Sequence, residues 1–289
     1  MASKTPETEV IVSDNSLSDS ISMLVEDKFQ NIKYVRRVTS LSSSGHYQAV
    51  ISEVTSDFFM IFHDDDIMLP NLIRLSLNRL IAEPHLSGAG VNARVFGCNK
   101  WRRQEMMVGY LNHLYVTSPC QLLTGYFGVQ SRMGHPSFPS YIYRSRLVTP
   151  DMFNAGDGGK YADVSFLLKL LSKGPLFWSN DIGMLTRVHG TNDSGEESIV
   201  DRLSLRRYLY TQLGLDKKTK VIKDMRLRYW LAWLEPKVRS REVFYLWKSL
   251  RARVVCRFIV TEAISRSSIW RLTLRRLIKG HLRKRILSL

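Results

Sequence analysis

Three consecutive aspartates, Asp64, Asp65 and Asp66, stand between the apolar run FFMIF with His63 and the apolar stretch Ile67, Met68, Leu69 that ends at Pro70. Adjacent carboxylates repel, and they stay ionised at modest cost only where a cation or several hydrogen-bond donors compensate them. Hard divalent ions such as Mg²⁺ or Mn²⁺ take oxygen ligands and often bridge to phosphates. A solvated turn capping the next helix explains the same three residues without an ion. Asp14 closes a second strand-like run, EVIVS, and is followed by Asn15 and Ser16, which are turn and helix-cap types. In open parallel sheets ligands bind outside the carboxyl ends of the strands, where both acidic sites would lie. Asp163 opens the run DVSFLLKLLS, where the positive end of a helix favours a carboxylate. It suits a general base, or simply an acid at a helix start. Arg187 and His189 lie in TRVHGTNDS, where on their own they read as a surface cation and a structural or surface histidine.

Alternating strand-like and helix-like runs must position these groups. Residues 20–29 place Ile21, Leu24, Val25 and Phe29 at helical spacing, and 32–38 (IKYVRRV) read as a strand. Residues 42–56 are expected to be helical, with His46, Val50 and Val54 along one side. Residues 57–62 (DFFMIF) are expected to form a fully buried strand, too short and aromatic for a helix. Pro70 sits where helices begin, and Leu72, Ile73, Leu77, Leu80 and Ile81 supply an apolar face. Residues 84–160 are less regular, whereas 163–172 repeat Val164, Leu167, Leu168 and Leu171 as an amphipathic helix. The alternation predicts an α/β fold with a largely parallel sheet flanked by helices.

EVIVSDNSLSD followed by DFFMIFHDDDIMLPNLI, KYADVSFLLKLLSKG and TRVHGTNDS resembles the inverting family-two glycosyltransferases of GT-A fold, over roughly residues 9–195. The resemblance implies a Rossmann-type sheet and sugar transfer from a nucleotide-diphosphate sugar, a UDP-sugar first among them. It implies nucleotide-sugar contacts from Asp14, Asn15, Asp64, Asp65 and Arg187. Mn²⁺ or Mg²⁺ would be held by Asp66 and His189, and Asp163 would be the catalytic base. The family's opening strand, reading like VSVVIPTYNR, has no counterpart ahead of Glu9, so the sheet is expected to lack a central strand and expose its neighbours' edges. A start placed too late, a strand supplied by another chain, or an inactive relative that binds a partner without transferring sugar are the alternatives this raises. The Q-x-x-R-W signature of processive synthases is missing, which points to addition of a single sugar. Residues 119–145 fall where acceptor specificity lies.

The chain has 289 residues, 44% hydrophobic and 24% charged, which excludes disordered and collagenous classes. Cys98, Cys120 and Cys256 are far apart and form no zinc or disulfide framework. The N-terminus lacks a signal peptide's apolar core, and no run reaches membrane-spanning length, so a cytoplasmic chain, soluble or peripheral on the inner face of the membrane, is expected. The net charge of +16 is unevenly spread: from Arg239 onward fourteen bases face two acids, leaving +4 on the rest. Two domains are expected, 1–198 carrying the chemistry and 199–289 a basic helical extension. Trp247, Phe258 and Trp270 among the arginines suit an anionic membrane surface, near a glycan or polyprenyl-linked acceptor in bacterial surface polysaccharide synthesis. Nucleic-acid binding through the same bases is a weaker alternative, because it leaves the aspartates idle.

Overall fold

The computed structural model describes residues 8–29, 31–97, 113–128, 134–188 and 199–228. The chain divides into two compact units: residues 1–122 with 133–214, and residues 123–132 with 215–289. The basic tail from Arg239 lies outside the described residues. Among the described residues no helix is long and apolar enough to cross a membrane.

The first unit alternates strands and helices as the sequence predicts. Strand β1 (Ile11–Asp14) leads into α1 (Ser20–Lys28), β2 (Lys33–Arg36) and α2 (Ser43–Ser52). The side chain of Ser42 caps α2 by accepting from the Gly45 N–H at 3.2 Å. Strands β3 (Phe58–Phe59) and β4 (Ile67–Met68) bracket the aspartates, and α3 (Leu72–Ala82) follows Pro70. Then come β5 (Gly88–Gly97), β6 (Leu114–Val116), α4 (Pro119–Phe127), β7 (Tyr141–Arg144), α5 (Ala162–Leu171), β8 (Leu176–Val188) and α6 (Ile199–Thr211).

Helices flank a central sheet, and the strand directions are mixed. β1 and β2 pair in parallel as a two-stranded sheet. The larger sheet runs β3-β7-β5-β8-β4, with β6 also on β8. Only β5 and β8 are parallel there; the other four pairings are antiparallel. Both parallel pairs enclose a crossover helix, α1 in one and α5 in the other, whereas antiparallel neighbours need none. Among the described residues no strand bridges β1 and β3.

The strand expected over 57–62 is shorter and less buried than the sequence suggests. Its ladder covers two residues, and residues 58–62 are half-buried. Phe58, Met60 and Phe62 still alternate onto the core with Leu80, Leu86, Leu72 and Val91. Side-chain packing therefore keeps this segment extended after its backbone pairing stops.

β8 is the longest strand, and its ladder with β5 shifts register on either side of Asn92. The slack accommodates Ser179, Asn180 and Asp181, whose polar groups bond within the strand region: Ser179 Oγ donates to Asp181 at 2.7 Å and Asn92 Nδ2 to Asn180 at 3.2 Å. Gly183 lies in the shifted segment, where a Cβ would sit 2.3 Å from Val91 Cγ2 and 3.3 Å from Leu72 Cβ. Gly183→Ala is expected to destabilise the fold by about 1–3 kcal/mol, the usual cost of overpacking, read as a lower melting temperature. An unchanged melting temperature would contradict this packing.

Helix α6 belongs to the first unit although it starts beyond the expected boundary at 198. Leu205, Tyr208 and Leu209 are buried, and the Asp201 carboxylate accepts from the Lys160 N–H at 3.0 Å. In the second unit a helical run through 220–228 buries Val221, Ile222 and Leu227. There the Arg228 guanidinium donates to the carbonyls of Tyr126 and Gly128 at 3.0 and 2.9 Å.

Candidate functional site

Asp14 ends β1 almost fully buried, at 2% exposure. The Tyr34 hydroxyl donates to its Oδ2 at 2.6 Å and the Ser16 N–H to its Oδ1 at 2.8 Å. Burial pushes this carboxyl up, but Tyr34, Ser16 and Arg36 outweigh burial and hold it below its ordinary value. An ionised, fixed acceptor therefore stands at the end of β1. Its neighbour Ser13 is braced from two sides. Arg37 on the far end of β2 donates to Ser13 Oγ at 3.0 and 2.8 Å, so the single Ser13 proton goes to His46 Nε2 at 2.7 Å. His46 is held below its ordinary value by desolvation and by Arg37, which keeps it a neutral acceptor. Asn15 spends its amide on both backbone groups of Leu41, at 2.8 Å each. It therefore fixes the loop before α2.

The aspartates lie in the turn between β3 and β4, and the structure sorts them. Asp64 is exposed, whereas Asp65 and Asp66 are half-buried. One ligand atom from each of His63, Asp65 and Asp66 lies within 4.8 Å of the others. Desolvation raises the Asp66 carboxyl above its ordinary value, Asp65 and Asp64 repel it further, and the Arg187 N–H partly offsets both. That N–H donates to Asp66 Oδ1 at 2.9 Å. Two segments 121 residues apart thus meet because β4 and β8 pair, with Ile67 opposite Leu185. Two carboxylates and an imidazole suit a divalent ion that keeps further positions for phosphate oxygens or water.

Asp163 occupies the first turn of α5 and is half-buried. Burial raises its carboxyl to about 6, against the backbone N–H groups of Val164 and Asp163 that favour the charged form. Phe166, one turn later, meets Tyr143 edge-on at 5.2 Å and Phe138 at 6.0 Å. Tyr143 is buried and pushed far above its ordinary value by desolvation, then by the charges of Tyr141, Asp163 and Tyr47. Tyr47 on α2 in turn lies 2.9 Å from His63 Nε2. The aromatic cluster thus connects the neighbourhood of Asp163 to that of the aspartates.

Of the residues singled out in the sequence, the structure brings Asp65, Asp66 and the backbone of Arg187 together. It buries Asp14 as a charged acceptor, raises Asp163, exposes Asp64 and ties Asn15 to Leu41. His189 lies outside the described residues. His63 was missed as a ligand type: a single histidine beside three aspartates gives no spacing signal, and its partner Tyr47 comes from another element.

The sequence model of glycosyl transferase family 2 matches residues 2–150. No curated protein sequence matches the chain. Among solved structures, S. aureus TarS 1–349 in complex with UDP-GlcNAc is 14% identical with a TM-score of 0.52, covering 92% of this chain and 85% of that one. Glucosyl-3-phosphoglycerate synthase from Mycobacterium tuberculosis in complex with phosphoglyceric acid is 13% identical with a TM-score of 0.42, covering 72% and 70%. At such identities the TarS likeness is one of fold. The family match spans 149 of the 289 residues, and on it the chain belongs to glycosyl transferase family 2.

Proposed function

We propose that the protein transfers a single sugar, with inversion, from a UDP-sugar to a glycan or lipid-linked acceptor in surface polysaccharide synthesis. The observation that carries this reading is the bond from the Arg187 N–H to Asp66, which unites the aspartate turn with the end of β8. The TarS structure of similar fold holds UDP-GlcNAc, which supports a uridine nucleotide donor. Asp14, fixed and ionised, would accept N–H donors of a nucleobase. Asp65 and Asp66 with His63, joined by His189, would hold Mn²⁺ or Mg²⁺. When bound, the ion would supply positive charge for a departing diphosphate. Arg187 would add a cation to the same end of the site. Asp163, poised near 6, would take the acceptor hydroxyl's proton as that oxygen attacks the anomeric carbon. The basic tail would hold the protein at an anionic membrane surface on the cytoplasmic side.

Calorimetry with UDP, with and without Mn²⁺, tests the donor reading. Metal-dependent binding of UDP is expected, and no binding in either condition would overturn it. A partner-binding relative without transfer activity is the second reading, favoured by β1-β2 pairing apart from the larger sheet among the described residues. UDP binding without any release of UDP from UDP-sugars would favour it.

A further inference from the structure

His63 is placed as if it belonged to the ion site rather than to the core. It shares a 4.8 Å neighbourhood with Asp65 and Asp66, and Asp64 is the aspartate left exposed. Ligand atoms on one octahedral ion stand roughly 3 to 4.2 Å apart, given metal–oxygen distances of about 2.1 Å. At most one of the three pairs can lie across the ion, so the side chains share it by closing the others to about 3 Å, a shift of up to roughly 2 Å from the 4.8 Å limit.

The ring is also held in the way that ligating histidines are held. One nitrogen, Nε2, lies 2.9 Å from the Tyr47 hydroxyl. Tyr47 is itself locked, stacked on Phe153 at 4.2 Å and edge-on to Phe138 at 5.9 Å. Its helix is tied to the same loop, because Ser44 and Gln48 both donate to the Phe153 carbonyl, at 3.1 and 2.9 Å. A histidine ligand characteristically gives its second ring N–H to an acceptor that fixes its orientation.

We propose that His63 ligates the divalent ion through Nδ1 with Tyr47 orienting its ring, and that this imidazole turns the site toward Mn²⁺ and Co²⁺ and away from Mg²⁺. The proposal deepens the metal-dependent reading above and rests on it. Imidazole suits borderline transition ions, while Mg²⁺ demands oxygen donors and gives up water reluctantly. Replacing a third carboxylate by a neutral ring also lowers the negative charge that Mg²⁺ relies on. Tyr47 is a positioning residue, acting through His63.

The test titrates the full chain with Co²⁺, Mn²⁺ and Mg²⁺ in the presence of UDP, by calorimetry and by the visible absorption of bound Co²⁺. Wild type is expected to bind Co²⁺ at least about tenfold tighter than Mg²⁺. His63→Asn is expected to narrow that preference at least about threefold and to shift the Co²⁺ spectrum as one nitrogen ligand gives way to oxygen. Tyr47→Phe keeps the ring stack, so it tests orientation even if the His63 variant fails to fold. It is expected to lower Co²⁺ affinity about tenfold, the scale for outer-shell partners of a ligand, with Mg²⁺ affinity changed by less than about twofold. Wild-type ion preference and spectrum retained in His63→Asn, or in Tyr47→Phe, would overturn the proposal while leaving the metal reading intact. Wild type that binds none of the three ions would overturn both.

Discussion

Asp163→Asn is expected to slow sugar transfer by about 10²–10⁴-fold, the share a positioned general base contributes, and at the same time to raise the melting temperature at neutral pH. Both effects follow from a carboxyl raised to about 6 by burial. The folded state binds this proton more tightly than the unfolded chain, whose aspartate keeps its ordinary value of 3.8. Relative stability from this group is therefore fully present below about pH 4 and is lost as pH rises through about 6. At pH 7 the folded protein carries the whole penalty. The displacement corresponds to at most ~3 kcal/mol, and partial exposure of Asp163 reduces it to about 1–2 kcal/mol. Asparagine keeps an oxygen for the N–H groups at the helix start and has no charge to desolvate. The same displacement sets the rate profile: transfer by wild type is expected to rise with pH through about 6 as the base loses its proton. Melting curves and UDP release across pH 5–8 check both. A variant that is inactive and less stable at pH 7 would make Asp163 a structural acid of α5, and a variant with unchanged transfer would end its role as base.

The sequence and the structure agree most closely where chemistry and periodicity coincide. The helix expected over 163–172 is α5, Ala162–Leu171, and the strand ending at Asp14 is β1. The apolar stripe on α5 understates its burial, since Ser165 and Phe166 are buried as well, with α6 packed against the helix. Strands β5 and β8 were not legible. GAGVNARVFG looks like a loop, yet its small residues let Tyr141 lie against Gly90, where a Cβ would come within 2.8 Å of the ring. LFWSNDIGMLTRV carries turn-forming residues that a register shift absorbs. His63 was illegible for a related reason. What gives it a direction is Tyr47, stacked in an aromatic cluster assembled from α2 and from loops near 138 and 153. Propensity describes one element at a time, and these features exist only where elements meet.

Asp66→Asn is expected to move the free and the ligand-bound protein in opposite directions. Without an ion, Asp66 is raised by desolvation and by repulsion from Asp65 and Asp64. A raised carboxyl withdraws stability as pH climbs above the ordinary aspartate range, so at neutral pH the free wild-type protein carries a charge it would rather shed. The amide oxygen of asparagine still accepts the Arg187 N–H that joins β8 to this turn, and the repulsion disappears. The free variant should therefore melt at or above the wild-type temperature. With Mn²⁺ and UDP at about a hundred times their dissociation constant, wild type gains about 2.7 kcal/mol from binding the folded state alone. The variant should lose most of that gain, because the carboxylate that the ion would neutralise is gone. Thermal shift with and without UDP and Mn²⁺, run at one ionic strength, reads both halves. A purely structural Asp66 predicts the reverse pattern: a lower melting temperature for the free variant and an undiminished response to ligand. Bracing β8 and the proposed binding of a cation thus separate in one pair of melting curves, since the bond to Arg187 needs only an oxygen and a cation would need the charge.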